Sequence, residues 1–181
     1  MKRCLVGSEM CIRDSPLPEG KKSKITVTQI NSTNEIEDNL NKIIDLSVNA
    51  KKEGSELIVF PELALTGHLN GSKNAQSIES SAIKKLIDFS NMNNLYICFG
   101  FAENKGKEFF NSSMLIGPEG ILGVYRKIHL NDNDRKWAIE GNDWKYFDTK
   151  IGRIGMLIGY DAIFPESARC LGLYGLSLIH I

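Results

Sequence analysis

The sequence has no excess of charge of either sign: twenty-two basic residues balance twenty-two acidic ones. No overall field therefore draws the chain to nucleic acid or to an anionic membrane. The densest basic spot, Lys21, Lys22 and Lys24, reads as a solvated entry to the first strand. Long apolar runs are missing too, and none reaches the ~20 residues that span a bilayer. The charged, apolar and small-residue zones of a signal peptide are missing from the N-terminus, so the expected setting is reducing and cytoplasmic. Cysteine is scarce, with four in 181 residues. Cys98 and Cys170, with His68 and His129, stand at unrelated spacings that fit neither a disulfide framework nor a metal site. Repeats, low-complexity tracts and linkers are absent as well, which leaves one domain. With 42% hydrophobic residues it has enough apolar material for a core.

Both ends read as foreign to that domain. Met10-Cys11-Ile12-Arg13-Asp14-Ser15 can be written in codons as ATG TGT ATA AGA GAC AG, whose reverse complement translates as Leu-Ser-Leu-Ile-His and the start of an Ile codon, matching the C-terminal Leu176 to Ile181. An inverted repeat joining the termini resembles a translated sequencing-library adapter, and the resemblance reaches back to Cys4. Such scars are set aside before fold reasoning. The expected organisation is thus an adapter-like segment over 1–15, the domain proper over 16–175, cut short at its C-terminal end, and a second adapter-like segment over 176–181. Neither terminal segment is expected to pack well against a core it was not selected with.

Ile25 to Ile30 has the β-branched alternation of a strand. Asn34 and Glu37 have capping-box spacing, and Ile36, Leu40, Ile43, Ile44 and Val48 follow helical periodicity up to Gly54. Leu57-Ile58-Val59-Phe60 is short and wholly apolar, as a strand covered on both faces should be. Ile78, Ala82, Ile83, Leu86 and Ile87 mark a second amphipathic helix, and Leu95 to Ala102 another buried strand. Asn111–Ile116 and Ile121–Lys127 pair as a hairpin across Gly117-Pro118-Glu119-Gly120. Trp144–Phe147 and Ile151–Ile158 read as two further strands, and Pro165 opens a helix at a first-turn position. Strands alternate with helices early and hairpins appear midway, so sheets of mixed pairing covered by helices are expected.

Chemistry concentrates in three segments at strand ends, where loops sit on a rigid scaffold. In the first, Glu62 follows a buried strand and Pro61, a fitting place for a general base; taken alone it also reads as a structural carboxylate. In the second, strand periodicity puts Tyr125, Lys127 and His129 on one face. An inward lysine there is suited to hold an oxyanion, although alone it also reads as an edge lysine. His129 reads as a packed or hydrogen-bonded histidine. The third segment, Gly152 to Arg169, runs from strand through a tight turn at Gly159-Tyr160-Asp161 into a helix, the outline of a nucleophile elbow.

In this order the three segments resemble the nitrilase, or carbon–nitrogen hydrolase, superfamily, and the resemblance covers Ile25 to Gly175. Asn39-Leu40, Gly100 with Glu103, Asn111-Ser112 and Gly117-Pro118-Glu119-Gly120 match secondary landmarks. The resemblance implies an α+β fold, a four-layer α-β-β-α sandwich incomplete at its C-terminus. It also implies hydrolysis of non-peptide amide-type C–N bonds through a Glu-Lys-Cys triad, with no metal or organic cofactor. The partners it implies are a small amide-type substrate and, in the complete protein, further copies of the same chain. Carried over residue by residue, Glu62 is the base, Lys127 the oxyanion holder and Tyr160 the backbone donor. The chemistry is coherent: a thiol of pKa ~8.5 needs a base as it attacks, and the resulting oxyanion needs fixed donors.

The nucleophile position, however, is Gly159, with its register anchored by Gly155, Tyr160-Asp161 and Phe164-Pro165-Glu166. Glycine cannot form a thioester, and loss of the nucleophile from a comparable triad costs on the order of 10⁶ in rate. Where the family commonly carries a second glutamate the best match is Asp134, shorter by one C–C bond, roughly 1.5 Å. Cys98, inside an apolar strand, and Cys170, well down the following helix, do not replace the missing thiol. Three readings follow: an amidase-type enzyme whose codon 159 is one base away from cysteine, a ligand- or partner-binding pseudoenzyme of the same fold, and direct activation of water by Glu62.

Overall fold

The computed structural model describes residues 22–68 and 71–180. Its first sheet has five strands in the order β1 (Ile25–Val27), β2 (Leu57–Val59), β3 (Tyr96–Lys105), β4 (Glu108–Gly117) and β5 (Gly120–Arg126). β1, β2 and β3 run parallel, and β3, β4 and β5 form an antiparallel meander. The parallel connections are made by α1 (Ile36–Lys52) and α2 (Ser81–Asn93). The second sheet pairs β6 (Tyr146–Thr149) antiparallel with β7 (Gly152–Met156), and β7 parallel with β8 (Leu178–His180). A third helix, α3 (Pro165–Leu173), follows the turn after β7.

Strand alternation separates two cores. On one face of the first sheet Ile58, Phe60, Ile97, Phe99, Phe101, Met114 and Ile116 pack against Leu40 and Ile43 of α1 and Ile83 and Leu86 of α2. On the other face Leu57, Val59, Tyr96, Cys98, Leu115 and Tyr125 meet Ile154 and Met156 of the second sheet and Ile158 just beyond it. β2 and β3 thus contribute to both cores, which is why their sequences are continuously apolar rather than alternating. Leu171 of α3 is fully buried, and a Cβ built at Gly155 of β7 would touch it. Helices, sheet, sheet and helix therefore form the four-layer sandwich expected from the sequence.

Several expectations shift in detail. β1 stops at Val27, although the Thr28 N–H still donates to Val59 O. α1 begins at Ile36 after Glu35 with no side-chain cap, so the Asn34–Glu37 capping arrangement is not formed. The asparagine that organises this corner is Asn39, whose amide bonds Thr33 and Leu65 O from inside the core. β3 and β4 extend to a tight turn at Gly106, φ +72°, a hairpin with no strong sequence signal. Of Leu176 to Ile181, expected to pack poorly or arbitrarily, Leu178–His180 pair with β7 at Ile154, Gly155 and Met156. The free edge of β7 accepts an extended apolar segment whatever its origin, because strand pairing is made by the backbone. Met1 to Ser15 lie outside the described residues. Among the described residues no helix is long and apolar enough to cross a membrane, and no cluster of His, Cys, Asp and Glu could hold a metal ion.

Candidate active site

Lys127 follows the last residue of β5, and its N–H donates to Asn111 O at 2.8 Å, so its backbone prolongs the β4–β5 ladder. The side chain is 1% exposed and runs inward to two carboxylates. Its Nζ donates to Glu62 Oε1 at 2.7 Å and to Asp134 Oδ2 at 2.6 Å. Burial pulls the ammonium's pKa down, but the hydrogen bonds it donates to Asp134 and Glu62 and their negative charges outweigh it and hold the value above the ordinary lysine range. Lys127 is therefore a permanent cation at neutral pH, fixed between its partners.

Glu62 arrives from a loop that crosses closely over β3. A Cβ on Gly100 would fall onto Leu63 N and within 2.8 Å of Glu62 Cα, so only glycine lets the loop approach. The Leu65 N–H then donates to Gly100 O at 3.0 Å and pins the crossing. Leu63, fully buried, takes a left-handed conformation at φ +54°, a strain of about 1–3 kcal/mol for a non-glycine residue. Asp134 opens a 3-10 turn, Asp134–Lys136. That turn is held by Asn131 Oδ1, which accepts from the N–H groups of Asn133 and Asp134.

Gly159 stands three residues past the end of β7, where another 3-10 turn, Gly159–Ile163, begins. Its φ of +44° lies in the left-handed region that suits glycine. Asp161 locks the turn from inside: its carboxylate accepts from Ile158 N–H at 3.1 Å, His129 N–H at 2.8 Å and Tyr125 O–H at 2.8 Å. Burial first, then the neighbouring Asp161 charge, push the Tyr125 phenol well above its usual pKa, so it stays a donor. His129 Nδ1 lies 3.0 Å from Asp161 and its ring stacks on Phe164, in keeping with a hydrogen-bonded structural histidine.

These separate segments converge. A Cβ built at Gly159 would sit 2.6 Å from Glu62 Oε2 and 3.6 Å from Lys127 Nζ. The side chain missing at 159 would thus point between a carboxylate and an ammonium. Two cavities meet at Glu62. One, of about 160 Å³, is lined by Phe60, Ser113, Leu157, Ile158 and Gly159; the other, of about 550 Å³, by His68, Lys73, Asp134, Lys136 and Trp137.

The profile of the Carbon-nitrogen hydrolase family matches residues 24–181. The chain belongs to the carbon–nitrogen hydrolase family. It is 36% identical over 165 residues to a nitrilase of Pyrococcus abyssi, covering 86% of this chain and 63% of that protein. To an (R)-stereoselective amidase of Pseudomonas sp. it is 34% identical over 128 residues, covering 69% of this chain and 47% of the amidase. The chain thus spans less than two thirds of the length of these relatives. Among solved structures it is similar to an amidase of Nesterenkonia sp., with a TM-score of 0.80 and 20% identity over 91% of this chain and 66% of that one. At that identity the likeness speaks for the fold alone.

Within this nitrilase-superfamily fold, the sequence-derived set holds together in space. Glu62, Lys127 and Gly159 meet, and Asp134 joins them despite its shorter side chain, because the Asn131-capped turn carries its backbone close enough. Tyr160 follows Gly159 in the same turn, its ring 40% exposed and edge-on to Phe164. Cys98 is 1% exposed, beside Ser113 and Met156, and burial pushes its thiol up to about 12. Cys170 lies along α3. The residue that sequence reasoning marks only as a landmark is Asn111, whose amide reaches both carboxylates.

Proposed function

We propose that this chain forms the amide-binding site of a carbon–nitrogen hydrolase from which the nucleophile has been removed. It binds a small amide-type ligand and does not cleave it by a thioester route. The observation that carries the reading is the direction of the missing side chain: a Cβ at Gly159 lies 2.6 Å from Glu62 Oε2 and 3.6 Å from Lys127 Nζ. In this reading Glu62 is the general base, with Oε2 turned to position 159 while Oε1 is held by Lys127. Lys127 is the cation toward which a carbonyl oxygen develops charge, Asp134 keeps that cation in place, and the Tyr160 backbone is the second donor. A thiol at 159 would hand its proton to Glu62 as it attacked the amide carbon. Glycine supplies neither the sulfur nor the bond.

A structural relative supports a binding role without the thiol. A cysteine-to-alanine variant of the Nesterenkonia amidase has been solved in complex with butyramide. The test is ligand-observed NMR of this chain with small primary amides, alongside an assay for released ammonia. Saturation transfer to the amide, lost in Lys127→Met, with no ammonia released, is the expected result. Ammonia release by the Gly159 chain that depends on Glu62 and Lys127 would overturn the reading and restore direct attack by water.

A second reading, an active amidase when codon 159 encodes cysteine, is favoured by the intact arrangement of Glu62, Lys127 and Asp134. It differs from the first in one residue only, so restoring the thiol distinguishes a latent site from one that has drifted.

A further inference from the structure

Glu62, Lys127 and Asp134 come from three separate segments, and Asn111 of β4 bonds all of them. Its Nδ2 donates to Glu62 Oε1 at 2.6 Å and to Asp134 Oδ1 at 3.1 Å, while its backbone oxygen accepts from Lys127 N–H at 2.8 Å. Asn111 is 1% exposed. Its amide orientation follows from its neighbours, since only the NH₂ end suits two carboxylates. The consequence is that Oδ1 is buried with no hydrogen-bond partner among the described residues. A side chain serving β4 alone would avoid that cost.

We propose that Asn111 is a positioning residue of this site. With Lys127 it occupies Glu62 Oε1, so that Oε2 alone is presented to position 159, and it holds Asp134 against the same ammonium. The inference rests on the reading of Glu62 as the general base. A neutral double donor fits this place for an electrostatic reason. The inner groups are two carboxylates and one cation, and His68, Lys73 and Lys136 face them only across the larger cavity. A second cation at position 111 would bind the carboxylates but would also suppress the basicity Glu62 needs. An amide orients them and leaves the charge unchanged.

The experiment is made in the Gly159→Cys chain, with Glu62→Gln, Asn111→Ser or Asn111→Asp added. Two quantities are read: the rate of iodoacetamide alkylation at position 159, located by peptide mass, and kcat and KM for propionamide. A thermal melt verifies that each variant folds. Asn111→Asp keeps the shape but replaces both donors with acceptors, whereas Asn111→Ser keeps one donor. Misplacement of a base by ~1 Å costs about a hundredfold, so Asn111→Asp is expected to lower kcat by roughly that factor with little change in KM. Asn111→Ser should fall between, and both should slow alkylation. If Asn111→Asp does not fold, Asn111→Ser decides. Folded Asn111 variants that alkylate and turn over like their parent, while Glu62→Gln slows both, would overturn the proposal and leave the base assignment standing. If Glu62→Gln changes neither rate, the base assignment itself fails, and the role of Asn111 with it.

Discussion

At the scale of single residues, the site is a cation held between two carboxylates beside an empty position. Removing the cation leaves the carboxylates facing each other in a buried place, and breaking such a pair costs about 3–5 kcal/mol. Lys127→Met is therefore expected to lower unfolding free energy by that order, measured by urea titration at neutral pH. The pH dependence has a definite sign. The folded pKa of Lys127 is raised, so its contribution is complete below the unfolded value of ~10.4 and is lost as pH rises through the folded value. The gap between parent and Lys127→Met should stay level up to about pH 10 and then narrow. A gap that widened with alkalinity would contradict the ion-pair account. Glu62, Lys127 and Gly159 are legible in the sequence because each sits at the end of a strand with recognisable neighbours. Asn111 is not: a mid-strand amide carries no local sign of partners that arrive from three other segments.

At the scale of elements, the loop bearing Glu62 depends on what β3 lacks. Gly100→Ala would drive a methyl into the backbone of Pro61 to Leu63. Overpacking of this kind costs about 1–3 kcal/mol, and here the relief is displacement of the Glu62 loop. Reduced stability together with weakened amide binding is the expected outcome, read by thermal melts and ligand-observed NMR; unchanged binding would show that the loop is placed by something else. The buried strands and amphipathic helices were readable from periodicity, as Leu57–Val59 and the Leu40, Ile43 face of α1 show. The β3–β4 hairpin was not, since Glu103 to Glu108 is polar and its register is set by pairing across the sheet. The start of α1 also escaped a local rule, because the tertiary bonds of Asn39 replace an end cap.

At the scale of the whole molecule, several buried groups favour their protonated forms. Burial raises Cys98 from 9.0 to about 12, and Tyr125 and Lys127 are shifted in the same direction. Each contributes stability that is complete below its unfolded pKa and is lost as pH rises toward its folded one. The urea midpoint should fall as pH rises above about 9, and Cys98→Val should flatten that fall between about pH 9 and 12. A midpoint independent of pH over this range would argue that the space between the sheets is wetter than described. The layering itself was legible in the sequence, because strands apolar on both faces demand cover on both. The pairing of Leu178–His180 with β7 was not, because an open strand edge selects for extended backbone and tolerates many side chains.

The central claim is that the Gly159 site retains everything an amide hydrolase needs except a nucleophile. Its most direct test is ammonia release from a small primary amide by this chain and by Gly159→Cys, each with and without Glu62→Gln. The introduced Cβ would lie 2.6 Å from Glu62 Oε2 at a backbone φ of +44°, so Oε2 must turn slightly about the Oε1 held by Lys127 and Asn111, and the turn must bear the strain of a non-glycine residue. The predicted result is no ammonia from the parent, measurable release from Gly159→Cys, and its loss when Glu62→Gln is added. Ammonia from the Gly159 parent at a rate equal to that of Gly159→Cys would contradict the account, because the chemistry would then owe nothing to position 159.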